Sequence, residues 1–269
     1  MFKSMKYVWS ENINNLYRIK SISKYELLAD MRDSKLGIFW NFANPFIQVL
    51  TYYFVFGLVF NKKAVDGIAY MPWMLGGMVI WFFISPCITN GCNAVFTKLN
   101  VITKMKFPVS ILPSTVSMKE LFNHGCLMII LVFVFMFYGW YPSVHWLGLI
   151  YYCFCAVIFS ICLSLTTSVL NMIARDTRKL ILAIMRLLLY LTPILWSIDN
   201  VKRWPLIHKI MSANPIYYLV QGYRDCFFFH RGFLYYWKSG VCFWVITFIL
   251  FAFGSYMMYK LKKKFVDMI

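Results

Sequence analysis

An arginine and an aspartate, Arg224 and Asp225, stand side by side in ANPIYYLVQGYRDCFFF at 213–229, a stretch that is otherwise almost wholly apolar. A guanidinium holds phosphate or carboxylate through two parallel hydrogen bonds, so Arg224 is either the structural partner of Asp225 or an anion contact. Two further sets of charged residues lie within apolar runs. Lys119, Glu120 and His124 crowd the start of the run at 112–138, and Arg186 lies seven residues beyond Lys179 in the run at 180–198. Neighbours such as Lys119 and Glu120 cannot share a helix face, so each needs its own partner elsewhere. Arg186 either snorkels back to headgroups or offers its planar fork to a phosphate. Other chemistries are missing. The sequence contains no G-x-x-x-x-G-K-[ST] phosphate loop, its four histidines (His124, His145, His208 and His230) are scattered, and its ten carboxylates are mostly unclustered. Nothing here composes a nucleotide site, a metal centre or an acid–base pair, so no catalytic site and no cofactor of its own are expected.

The elements that must position these residues are written in the composition. The 269-residue chain is 61% hydrophobic and 20% aromatic, with a mean hydropathy of +0.65. Soluble domains are nearer half apolar, so this is a membrane protein. The formal charge of +17 sits between the apolar runs and at the ends, which reads as topology and lipid contact rather than nucleic-acid binding. The eight cysteines fall mostly within apolar runs and behave as small buried hydrophobes. The first 20 residues carry Lys3, Lys6, Glu11, Arg18 and Lys20, with no apolar core that would make a cleavable signal. The expected fold is a single all-α polytopic membrane domain over 1–269. Six transmembrane helices are expected near 36–60, 69–95, 112–138, 147–172, 180–198 and 239–259, the first five within 36–198. A cytosolic amphipathic surface region covers 10–35, where Ser23 and Glu26 have the spacing of a capping box, and a short tail covers 260–269. Lysine and arginine dominate the N-terminal region, the 97–110 and 174–179 loops and the tail, which predicts that both termini are cytosolic.

On that topology the segment 199–238 faces outward. Trp204-Pro205 starts one short helix, and Asn214-Pro215 breaks the chain before a second. Irregular backbone survives at membrane depth only when protein or water surrounds it, so 216–229 reads as a re-entrant hairpin between helices 5 and 6, or as an amphipathic helix lying flat.

Four stretches, MKFPVSILP at 105–113, ARDTRKL at 174–180, YLTPILW at 190–196 and ANPIYYLVQGYR at 213–224, carry a resemblance that covers essentially the whole chain. It resembles the permease subunit of ABC exporters for polysaccharides and teichoic acids, the ABC-2 or type V exporter class. Segments such as FWNFANPFIQVLTYYFVFGL at 39–58 look closest to the wall teichoic acid permease of Gram-positive bacteria. The resemblance implies a homodimer in the bacterial plasma membrane, partnered by two copies of a separate ATP-binding subunit that uses ATP and Mg. It implies outward movement of a glycopolymer, here wall teichoic acid, on polyprenyl diphosphate; the alternative is another lipid-linked polysaccharide such as O-antigen or capsule.

It further implies that the surface helix and the 97–108 loop contact the ATPase. TKLNVITKMKFP suits that physically: it is basic, allows one or two turns with Leu99, Ile102 and Met105 on one side, carries Lys104 and Lys106, and is stopped by Pro108. An ordinary cytosolic connection would look similar. A passage for such a polymer calls for aromatic planes and a few cations. The candidates are Phe39, Trp40, Tyr52, Tyr53, Trp73, Trp81, Phe82, Tyr190 and Trp196, with Arg186 where the lipid diphosphate enters and Arg224 where the polymer leaves. Each aromatic also fits ordinary packing or an interfacial belt. Asn214, Pro215 and Asp225 take structural roles in the hairpin.

Overall fold

A computed structural model describes residues 1–32, 36–37, 39–104, 107–232 and 235–262. Two helices that do not enter the bundle come first, α1 (Phe2–Asn14) and α2 (Leu16–Arg32). α1 lies across the end of the chain's last helix, where Tyr7 meets the Tyr259 ring at 5.4 Å and Lys262 Nζ sits 3.5 Å from the Tyr7 ring centroid. α1 and the end of the last helix therefore share one end of the molecule, the proximal end. Burial, and a hydrogen bond to Glu11, hold the Tyr7 phenol above its ordinary range. Ser23 does not cap a helix. It lies inside α2, its hydroxyl 2.7 Å from the Ile19 carbonyl and 2.8 Å from the Thr115 carbonyl, and so helps fasten α2 to the helix beginning at Leu112.

α3 (Phe39–Tyr52) continues through wider π-helical turns, Tyr53–Val59, and a two-stranded hairpin, β1 (Ala64–Val65) with β2 (Ile68–Ala69), turns the chain into α4 (Tyr70–Thr97). After a short α5 (Leu99–Lys104) come α6 (Leu112–Phe137), α7 (Gly148–Ile173), α8 (Asp176–Leu191), α9 (Pro205–Ser212), α10 (Pro215–Arg224) with its π-helical continuation Asp225–Phe229, and α11 (Trp237–Leu261). Among the described residues five helices are long and apolar enough to cross a membrane: Phe39–Val59, Tyr70–Thr97, Val109–Phe137, Val144–Ile173 and Trp237–Leu261.

The sixth expected span, at 180–198, is not one of them. In its place stands the 16-residue α8, which at 1.5 Å per residue is about 24 Å long, short of a hydrocarbon core of about 30 Å. The apolar run continues through Pro193, but the helix does not. A residue before proline is driven out of the α region, and Thr192 at φ −74°, ψ 138° ends α8. Arg178, Lys179 and Arg186 lower its apolarity further. The fold is thus an all-α polytopic membrane protein with, among the described residues, five helices long and apolar enough to span rather than six.

α4 is the central pillar, and its apolar window is 72% buried against α6, α7, α8 and α10. α3 is the opposite case, with 6% of its window buried, and α8 likewise exposes Leu180, Ile184, Leu187 and Tyr190. A distal core gathers Trp73, Phe83, Phe135, Tyr152, Tyr223 and Phe227, while a proximal one joins Val8 of α1 to Val95, Ile102, Val169 and Met258.

Candidate functional site

The α9–α10 hairpin, two short helices joined at Ala213 and Asn214, is built around Asn214. Its side-chain oxygen accepts from the Ile216 amide at 2.9 Å, capping α10, while its amide donates to Thr192 Oγ1 at 3.0 Å. Pro215 occupies the first helical turn, where a missing N–H costs nothing. α10 is then wedged among α4, α7 and α11, and the Tyr223 hydroxyl comes within 2.9 Å of His124 Nε2, halfway along α6. Close approach is required at Gly222, where a Cβ would lie 2.2 Å from the Tyr152 ring.

Arg224 and Asp225 do not pair with each other. Arg224 is 1% exposed and donates to three backbone carbonyls: Nε to Trp73 at 3.3 Å, Nη1 to Pro193 at 2.9 Å and Nη2 to Ile194 at 2.5 Å. Its Cζ lies 3.5 Å from the Trp73 ring centroid. One guanidinium therefore ties the hairpin to the start of α4 and to the irregular segment after α8. Asp225 instead accepts from Gln221 Nε2 at 3.1 Å and faces Arg231 Nη1 at 3.7 Å.

Of the aromatic candidates, the structure brings together Tyr52, Tyr190 and Trp196. The two tyrosine rings meet edge to face at 6.3 Å, and the Trp196 indole donates to the Tyr190 carbonyl at 2.8 Å. Tyr53 and Phe82 are half-buried against the same distal core. Phe39 and Trp40 lie exposed at the start of α3, their rings 6.0 Å apart. Trp73 and Trp81 are inside the core. Arg186 is exposed on α8.

At the proximal end Ile102 packs into the core while Lys104 is exposed; Met105 and Lys106 lie outside the described residues. α2 is held by ion pairs of Glu26 with Lys98, at 2.8 Å, and of Asp30 with Lys119. Glu120 is buried and accepts from Asn90 Nδ2 at 3.4 Å and Asn123 Nδ2 at 3.1 Å, and Asn123 in turn accepts from Asn41 of α3 at 3.2 Å. Glu26, Asp30, Asn90 and Glu120, with Lys98, Lys119 and Arg178, line a cavity of about 360 Å³ beneath α2. Sequence reasoning missed this network, and also the His124–Tyr223 contact, because the deciding partners, Asn90 with Glu120, Asn41 with Asn123 and His124 with Tyr223, are 30, 82 and 99 residues apart. Asparagines within apolar runs, Asn41, Asn90 and Asn123, were the available signal.

A family model, "ABC-2 type transporter", matches residues 17–228, from α2 through the hairpin. The chain belongs to this family. Membership implies a partner ATP-binding cassette subunit within a transporter complex. Among individual relatives, two O-antigen export system permease proteins RfbA of Klebsiella pneumoniae are 27% and 28% identical, each match covering 92% of this chain and 93% of the relative. The protein of the same name from Myxococcus xanthus is 25% identical over 81% of this chain and 85% of its own length.

Proposed function

We propose that this chain is the membrane subunit of an ATP-driven exporter that carries a lipid-linked polysaccharide from the cytosol to the cell exterior. The observation that carries the reading is the near full-length similarity to permeases named for O-antigen export. Those names favour an O-antigen-like glycan over the wall teichoic acid first expected, since none of the three is a teichoic acid permease.

The geometry is in keeping with a passage between two copies. α3 and α8 leave long apolar faces open, and Arg186 stands exposed about 15 Å into α8 at 1.5 Å per residue. A charge at that depth is costly against lipid, so a second copy or an aqueous passage covers it. In this reading Tyr52, Tyr190 and Trp196 meet sugar faces, Arg186 meets the lipid diphosphate, and α5 with α2 receives the motion of two ATP-binding subunits that use ATP and Mg. The basic proximal end, with Lys3, Lys6, Arg18, Lys98 and Arg175, faces the cytosol of a bacterial plasma membrane.

The test is purification from the native membrane in mild detergent, with mass spectrometry of what travels along. An ATP-binding subunit in equal number and a polyprenyl-diphosphate glycan are the expected companions. A phosphodiester-repeat polymer would restore the teichoic acid reading, and no ATP-binding subunit would overturn the transporter.

A further inference from the structure

Behind the hairpin, at the distal end, lies a polar cavity of about 460 Å³, within the range of small-molecule sites. Its wall joins Asp66 of the β1–β2 turn, Asp199 of the segment after α8, Tyr217 and Gln221 of α10, and Arg231 and Tyr236 beyond the hairpin. A second recess of about 260 Å³ shares Asp199, Tyr217, Gln221 and Tyr236 with it and adds His208, Ser212 and Ser239. The two form one cleft, lined in part from the β1–β2 turn that follows α3 and from the segment that follows α8.

The charges of this cleft decide what it can hold. Every cation on the wall has a partner: Lys202 pairs with Asp199 at 2.9 Å, Arg231 with Asp225 and the Tyr236 hydroxyl at 3.7 and 3.0 Å, and Arg224 with three carbonyls. The wall itself carries the carboxylates of Asp66 and Asp199, and Asp225 lies behind it against Arg231, so three carboxylates match the three cations and no cation is left unpartnered for a phosphodiester. Asp225 is 1% exposed, one of its oxygens is held by Gln221, and the other accepts no hydrogen bond among the described residues. With its cations engaged, the cleft presents acceptors (the Asp66 and Asp199 carboxylates, the Gln221 amide oxygen and phenol oxygens) beside the half-buried rings of Tyr217 and Tyr236. Neutral sugars have the matching chemistry, with hydroxyls that donate to carboxylates and C–H faces that lie on electron-rich rings.

We propose that this cleft is a saccharide subsite that holds a neutral sugar unit of the exported polymer at the outer mouth of the passage. The proposal rests on the export reading above for its source of sugar, and it narrows that reading to uncharged repeats.

The test uses the full transporter with its ATP-binding subunit in nanodiscs. Saturation-transfer NMR is recorded with the methyl glycosides of glucose, galactose, mannose and N-acetylglucosamine, and with sn-glycerol 3-phosphate as the anionic probe. Expected is saturable binding of at least one glycoside, weakened by about tenfold or more in both Asp199→Asn and Tyr217→Leu, with each variant's melting temperature retained and no displacement by glycerol phosphate. Asp199→Asn changes only charge at a half-exposed position and keeps the test open if Tyr217→Leu fails to fold. No saturable glycoside, unchanged binding in a folded variant, or displacement by glycerol phosphate would overturn the subsite. Surface polysaccharide in cells lacking the chain scores the export reading separately: its loss on deletion with no glycoside binding sinks the subsite alone, whereas its persistence sinks export.

Discussion

Replacing Arg224 by methionine keeps an unbranched apolar stem, shorter than the arginine, and removes the charge and the donors. The Pro193 and Ile194 carbonyls, which lie in irregular backbone after α8, then lose the guanidinium. Each buried acceptor left unmet costs about 1–3 kcal/mol. The guanidinium also stacks on Trp73 at 3.5 Å, a desolvated contact worth about 2 kcal/mol. Relief from burying a charge offsets part of this, leaving a destabilisation of about 3–5 kcal/mol. For a chain of this size that is a fall in melting temperature on the order of 10 °C, read in detergent by size-exclusion thermostability. Gly77→Ala provides an independent check, because it removes no donor. Its Cβ would lie 2.5 Å from Arg224 Nη2 and 2.9 Å from Cζ, and the guanidinium, tied to three carbonyls, has nowhere to retreat. Both variants should loosen the same hairpin, so hydrogen exchange should rise over 215–229 in each. Normal melting of Arg224→Met, with exchange unchanged, would refute the idea that one arginine ties the hairpin to α4 and α8.

Asn214→Ala removes the cap of α10 and the bond to Thr192, and should cost about 1–2 kcal/mol in the same melting assay while Thr192→Val costs less. Arg186→Gln should lower surface polymer several-fold with the complex still assembled; equal export would return Arg186 to headgroup contact. Lys104→Glu on the exposed side of α5 should weaken assembly with the ATP-binding subunit or separate hydrolysis from transport, and stoichiometric complex with normal coupling would remove α5 from that role. The Lys119–Asp30 pair, half-exposed on the aspartate side, should show a coupling below about 1 kcal/mol in a double-mutant cycle, so its loss alone leaves α2 docked through Ser23.

Much of this molecule was legible as sequence. Long uninterrupted apolar runs can only be helices in a bilayer, because every backbone polar group must bond within its own segment. That argument locates α3, α4, α6, α7 and α11 to within a few residues. The Asn-Pro at 214–215 is local chemistry as well: a short polar side chain that can cap, followed by a residue fixed near helical φ, suits the first turn of a helix. The same local logic explains the failure at 180–198, where hydropathy was summed across Pro193 although backbone sterics stop the helix at Leu191.

Tertiary structure alone decided the partners of the charges. Arg224 is one residue from Asp225 in sequence, yet its donors reach carbonyls 30, 31 and 151 residues away. Glu120 is met by Asn90, and Lys119 by Asp30 on a helix outside the bundle. The outer cleft is likewise assembled from a β-turn, the residues after α8, the hairpin and the residues beyond it, four pieces that share no sequence pattern. Hydrophobicity acts through composition and period, which can be read along a chain. The pairing of buried polar groups depends on which segments meet, and only the folded bundle brings them together.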